Sequence, residues 1–259
     1  MKLSIIEKTK KDIFISLFQH LKSCSNFITI IFKESEMYIQ GMDKSHVCLF
    51  DIKIVSSWFD SYDIDNEESI TVNSIFFHNI ISMTQEKHHI NIKYQGDIDP
   101  DFIEIELTND ANEKGEFNKY FKLPLVENEN VLLTIPEVDY DAEFSINSKK
   151  ISEIVSQLSI FGDNMNIKCS EEKIEIISTG VGGEMMVNIP IDVLTEFSIS
   201  EGDIINTSYS LTYINKMCIA TKLSHEIYFS ISAERPMRIK YDLGENSHVM
   251  FFIASKIEE

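Results

Sequence analysis

The sequence predicts an α+β chain of two similar domains, each with two helices on one face of antiparallel β-sheet. Three observations predict it. Apolar residues recur at helical spacing in four places and alternate with polar ones through most of the rest. The second half repeats the first at a constant displacement. A proline-containing aliphatic stretch, "LLTIPEVDYD" (132–141), lies between the copies in a chain whose formal net charge is −19.

In "KKDIFISLFQHLK", Phe14, Leu17, Phe18 and Leu21 stand at i, i+3, i+4 and i+7, one buried stripe of a helix. Ile151, Ile154, Val155 and Leu158 of "KKISEIVSQLSIF" repeat those places, displaced by 137 residues (151 minus 14). The same displacement carries the alternating Ile28 and Ile30 onto Met165 and Ile167, and Met37 and Ile39 onto Ile174 and Ile176. It carries Phe76, Phe77, Ile80 and Ile81, a second helical stripe, onto Tyr213, Ile214, Met217 and Cys218. It carries Ile90, Ile92 and Tyr94 of "HINIKY" onto Ile227, Phe229 and Ile231 of "EIYFSI". The register is lost after about residue 100, where "QGDIDPDFIEIEL" and "SAERPMRIKYDL" differ in hairpin length. Each copy therefore reads β, α, several β, α, several β. Further strands are read in "SHVCLFDIKIV", "FIEIEL" and "HVMFFIA". The domains are expected at 1–125 and 142–259, with 126–141 as the interdomain connection.

A chain of 259 residues with 43% hydrophobic residues can fill two cores. The cysteines, Cys24, Cys48, Cys169 and Cys218, are widely spaced and form no CxxC pair, so neither a zinc site nor a disulfide framework is indicated. No apolar run approaches the ~18 to 20 residues that cross a bilayer, and "MKLSIIEKTKKD" lacks the apolar core of a secretory signal. A soluble, intracellular protein without membrane association is expected. The acidic balance argues against nucleic acid covering the whole surface, although it leaves room for a local basic face.

No phosphate loop, HExxH or GxSxG stretch is present. His88 and His89 read as a polar strand entry, and Glu67-Glu68 and Glu171-Glu172 as solvated turns. Gly180, Gly182 and Gly183 of "STGVGGEMM" lie between two strands and not before a helix, which favours a hairpin over an anion cradle. No enzyme, metal or cofactor is expected.

"MYIQGMDKSHVCLF" (37–50), "LLTIPEVDY" (132–140) and "FFIASKIEE" (251–259) resemble three signature stretches of the eukaryotic-type DNA sliding clamp, proliferating cell nuclear antigen, and "LTYINKMCIATKLS" (211–224) is similar to its last helix. The similarity runs from residue 3 to the C-terminus and fits the duplicated domain. It implies a DNA-clamp fold that forms a ring: a homotrimer of six pseudo-equivalent domains around double-stranded DNA, helices inside and sheets outside, with no sequence preference. It implies edge strands joining head to tail, with "EFNKYFKL" (116–123) matching one edge and "EIISTGV" (175–181) the other.

The resemblance further implies a processivity factor that tethers DNA polymerase, a clamp loader and replication and repair proteins carrying a short docking peptide. Localisation would be nuclear, or a cytoplasmic replication compartment for a virus-encoded clamp. The implied peptide groove comprises Met42, His46, Val47, Leu133, Ile135, Pro136, Tyr140, Pro236, Phe252, Ile253 and Ala254. Against the family pattern, Ser255 replaces a proline, Phe252 a tyrosine and Glu171 the lysine that ubiquitin modifies. Ser16, Glu153, Ser156 and Ile219 stand where the family places basic residues facing DNA. The remaining candidates for that face are Lys10, Lys11, Lys22, Lys149, Lys150, Lys216 and Lys222. This depletion keeps an alternative open, a clamp-fold scaffold or transcription-associated adaptor with little DNA tethering.

Overall fold

The computed structural model describes residues 1–109, 117–128 and 131–256. The chain divides into two compact units. The first takes Met1–Lys44, Asp51–Leu133 and Leu243–His248; the second takes Ser45–Phe50, Thr134–Asp242 and Val249–Glu259.

In chain order the first set of elements is β1 (Lys2–Ile5), α1 (Lys8–Cys24), β2 (Phe27–Lys33), β3 (Glu36–Met42), β4 (Cys48–Val55), β5 (Ser61–Asp63), β6 (Glu68–Asn73), α2 (Ser74–Ile81), β7 (His89–Lys93), β8 (Phe102–Thr108) and β9 (Lys119–Pro124). The second set is β10 (Ala142–Asn147), α3 (Ser148–Leu158), β11 (Asn164–Cys169), β12 (Lys173–Gly180), β13 (Gly183–Pro190), β14 (Glu196–Ile199), β15 (Ile205–Ser210), α4 (Leu211–Cys218), β16 (Glu226–Ile231), β17 (Met237–Gly244) and β18 (Ser247–Ile253). The expected duplication is met element for element. Ser74 of α2 and Leu211 of α4 differ by 137 (211 minus 74), as do the starts of β6 and β15 (205 minus 68). By β9 and β18 the displacement has fallen to 128 (247 minus 119).

The strand pairings that follow are antiparallel. In the first unit the order β5-β1-β7-β8-β9 makes one sheet, and β2 lies between β3 and β6 in another. In the second unit β14-β10-β16-β17 and β13-β12-β11-β15 repeat the arrangement. Strand alternation sets which face is core: in β8, Ile103, Ile105 and Leu107 are buried while Glu104 and Glu106 point outward. The helices pack in pairs, α1 on α2 and α3 on α4. Phe18 of α1 joins its pair, with ring centroids 4.8 Å from Phe14 and 4.5 Å from Phe77.

Helix starts are set by local chemistry. Asn73 and Asn147 each accept two backbone N–H groups at 3.1 Å, which satisfies donors that the first turn would otherwise leave unpaired. This phasing corrects the expected stripe of α2. Its buried face is Ser74, Phe77, His78 and Ile81, at i, i+3, i+4 and i+7, and Phe76, just off that stripe, is 61% exposed. In α4 the buried residues are Leu211, Ile214, Met217 and Cys218, with Tyr213 half-buried. His88 is also buried and not a polar strand entry; its Nδ1 accepts the Gln85 N–H at 3.2 Å.

Candidate functional site

The connection between the copies carries no helix or strand from 131 to 140; Glu129 and Asn130 of the expected linker lie outside the described residues. Its aliphatic side chains are not core. Val131, Leu132 and Leu133 are exposed, and Ile135 is half-buried. Each end is fastened by polar contacts within its own unit. Leu133 exchanges two hydrogen bonds with Gln40, N–H to Oε1 at 2.6 Å and Nε2 to O at 2.9 Å. At the other end Arg235 donates to the Asp139 carbonyl, and Asp141 Oδ2 accepts from Ser232 Oγ at 2.6 Å and Ala233 N at 3.3 Å. The guanidinium of Arg238 sits 4.9 Å from the Tyr140 ring centroid while ion-paired with Glu143 at 2.6 Å. Burial raises the Tyr140 phenol above its usual pKa although both arginines oppose the shift, so at neutral pH the ring meets its cation uncharged.

Of the other groove candidates in the second unit, His46 is exposed in the left-handed region (φ 57°), and Val47 is half-buried with its carbonyl accepting the Ala254 N–H at 3.1 Å. Pro236 and Ala254 are exposed and Phe252 is half-buried. Ile253 is fully buried: alternation in β18 turns it to the face of Phe251 and leaves Phe252 on the other. Ile253 therefore supports the strand from behind and is not a lining residue. Met42 is half-buried in the first unit, which also holds Leu133.

The lysines separate into two groups. Lys149, Lys150, Lys216 and Lys222 are exposed, the first two at the start of α3 and the third in the last turn of α4. Those of the first unit are engaged. Lys10 pairs with Glu245 at 3.3 Å and lies 5.6 Å from the Trp58 ring centroid. Lys22 Nζ is 2.9 Å from His78 Nδ1, and burial, followed by the Lys22 charge, lowers the pKa of that imidazole, so it accepts as a neutral ring. Lys11 does not face solvent at all. It is 4% exposed, and its ammonium donates to the carbonyls of Glu86 at 2.7 Å and His88 at 2.5 Å, closing the turn between α2 and β7. That removes it from any phosphate-facing surface. Ser16 is likewise buried, whereas Glu153, Ser156 and Ile219 are exposed.

Two long strand edges stand unpaired among the described residues. β9 pairs only with β8, and β13 only with β12. The other edges are short, as in β5 and β14, or partly covered, as where Val126 N–H reaches Thr71 O of β6 and Lys256 N–H reaches Ser208 O of β15. Phe117 and Tyr120 are exposed at β9; Met186 is exposed on β13 and Val181 at the hairpin before it. The stretch 175–181, expected as the second edge, lies mainly in β12 and is paired on both sides, because the Gly-rich hairpin adds β13 outside it. Of the first expected edge, 116–123, Glu116 lies outside the described residues.

Gln40, Arg238 and Met186 were not singled out from the sequence, and Tyr120 only as part of the stretch 116–123. Gln40 carried a weak signal, as an amide next to Ile39 on the strand "EMYIQ". Among the described residues no cluster of His, Cys, Asp and Glu could hold a metal ion, and no helix is long and apolar enough to cross a membrane.

Two family models match in tandem: "Proliferating cell nuclear antigen, N-terminal domain" over residues 6–130 and "Proliferating cell nuclear antigen, C-terminal domain" over residues 134–256. "Proliferating cell nuclear antigen 2" of Plasmodium falciparum is 26% identical over 252 residues, covering 94% of this chain and 95% of that protein. The "DNA polymerase sliding clamp" of Pyrococcus abyssi is 25% identical over 226 residues, 87% of each. A chain in the crystal structure of the PCNA2-PCNA3 complex from Sulfolobus tokodaii superposes with a TM-score of 0.87 over the full length of both chains at 19% identity, a likeness of fold.

Proposed function

Since the chain belongs to the proliferating cell nuclear antigen family of DNA sliding clamps, whose members are non-catalytic, we propose that three copies close into a ring through β9 of one protomer and β13 of the next. The observation that carries this reading is that, among the described residues, each unit keeps one long strand edge unpaired while its other edges are short or partly covered. A heterologous contact that closes makes a ring, and pairing the two edges would supply hydrogen bonds to both while burying Phe117, Tyr120 and Met186.

The function is then topological. A ring around duplex DNA slides without reading bases and holds polymerase and other tethered proteins near their substrate at high effective concentration. The clamp loader would open and place it. Contact with phosphates would come mainly from Lys149, Lys150, Lys216 and Lys222 of the second unit, with Lys10 and Lys22 already partnered, so the grip is weak and sensitive to salt. Partner peptides would dock against the linker residues Leu133, Ile135, Pro136 and Tyr140, together with Met42, His46, Val47, Pro236, Phe252 and Ala254, aromatic anchors leaving water for apolar surface. Eukaryotic relatives imply a nuclear role, and a virus-encoded clamp would act in its replication compartment.

Solution mass tests the ring: a species of three chains is expected, and Tyr120→Asp should give monomers. A monomeric wild type at micromolar concentration would refute closure. Stimulation of a polymerase on circular primed template separates a clamp from a clamp-fold adaptor, which would bind partners without it.

A further inference from the structure

Gln40 is 4% exposed on β3, yet both ends of its amide bond to the backbone of one linker residue, to the N–H and the C=O of Leu133. Its orientation is set from behind. Asp51, also buried, can only accept when ionised, so the Tyr38 hydroxyl donates to Asp51 Oδ2 at 2.6 Å. That hydroxyl must therefore accept from Gln40 Nε2, at 2.9 Å. The second Nε2 hydrogen goes to Leu133 O, and Oε1 is left facing the Leu133 N–H. His248 Nε2 lies 3.6 Å from the other Asp51 oxygen. All five residues belong to the first unit. The chain has one direction, from linker N–H to carboxylate, and it fixes the Leu133 backbone while the Leu133 side chain stays 46% exposed.

We propose that Asp51, Tyr38 and Gln40 form a latch that presents the Leu133 side chain on a fixed backbone, and that the latch sets the affinity of the clamp for partner peptides. The proposal rests on the reading of the linker as one wall of the docking groove. Its physical basis is preorganisation: a linker ordered before binding loses less conformational freedom when the peptide arrives. Gln40, Tyr38 and Asp51 are positioning residues and touch no partner themselves.

The test uses the full chain and a synthetic peptide with one aliphatic and two aromatic residues in a single helical turn, titrated by fluorescence anisotropy. Gln40→Ala should weaken binding on the order of tenfold, as expected for two lost hydrogen bonds. Trimer mass should be kept, and the Leu133 amide should exchange faster with solvent. Gln40→Glu adds a signature that loss of structure would not produce. As a carboxylate it cannot donate to Leu133 O, whereas the protonated acid offers one O–H and one C=O in nearly the amide's shape. Its affinity relative to wild type should thus recover as pH falls from 7.5 toward 5. Wild-type affinity in Gln40→Ala overturns the latch and leaves the groove standing. Failure of the wild type to bind peptide while it remains trimeric overturns the groove reading, and the latch with it. Should Gln40→Ala not fold, the pH series decides: a ratio flat with pH overturns the proposal.

Discussion

Replacing Lys11 with methionine separates a lysine that holds the fold from one that meets DNA. The ammonium is buried and donates to two main-chain carbonyls, Glu86 O and His88 O. Methionine keeps the length of the side chain but removes both donors. Charged hydrogen bonds contribute about 1.5–3 kcal/mol each, part of which the desolvation of a buried ammonium already offsets. The Glu86 carbonyl can partly turn to water because its residue is exposed, whereas the buried His88 carbonyl has no such access, so most of the loss falls on the bond to His88. The net expectation is a loss of about 2–3 kcal/mol in the first unit, a fall in its melting temperature of roughly 10 °C. Differential scanning calorimetry reads that loss. Release of the ring from linear duplex across a salt series reads the other quantity, and its slope should stay at the wild-type value. Lys149→Gln should do the reverse, leaving the melt unchanged and lowering the salt slope by up to about 0.9 for one phosphate contact. An unchanged melt for Lys11→Met, with a lowered salt slope, would refute the structural role given to Lys11.

Serine at both Leu133 and Ile135 should abolish polymerase stimulation while the trimer mass is kept, because neither side chain is core; dissociation into monomers would show the linker to be structural. Gly180→Ala should destabilise the second unit by about 1–3 kcal/mol in urea melts, since its Cβ would stand 2.1 Å from the Phe161 carbonyl oxygen and the backbone would have to move. Stability should also fall with acid through His20, whose folded pKa burial lowers to about 4 from 6.5. The unfolded chain binds the proton first, so the contribution is complete above about pH 6.5 and is lost as pH falls through 4, roughly 3 kcal/mol in all. His20→Gln should flatten that part of the pH profile, and an unaltered profile would show that another group is responsible.

What the sequence by itself determined was periodic and local. Ile28, Ile30, Met37 and Ile39 alternate as strands must, Phe14 to Leu21 space as a helix must, and the 137-residue displacement needs only counting. The stretch 132–141 stood out for the same reason, as an aliphatic segment that fits neither period. What the tertiary structure decided depends on chain that is distant in sequence. Lys11 looks like any helix-surface cation until the carbonyls of Glu86 and His88 close over it. Residues 175–181 look like an edge until the hairpin beyond them returns as β13. Ile253 and Phe252 are apolar neighbours, and only the face each takes in β18 makes one core and leaves the other half-buried. Gln40 is an ordinary strand amide until a linker 93 residues away brings its peptide group within hydrogen-bonding reach. Periodicity assigns faces because it is a property of adjacent residues, whereas burial and hydrogen-bond partnership are properties of what packs against them.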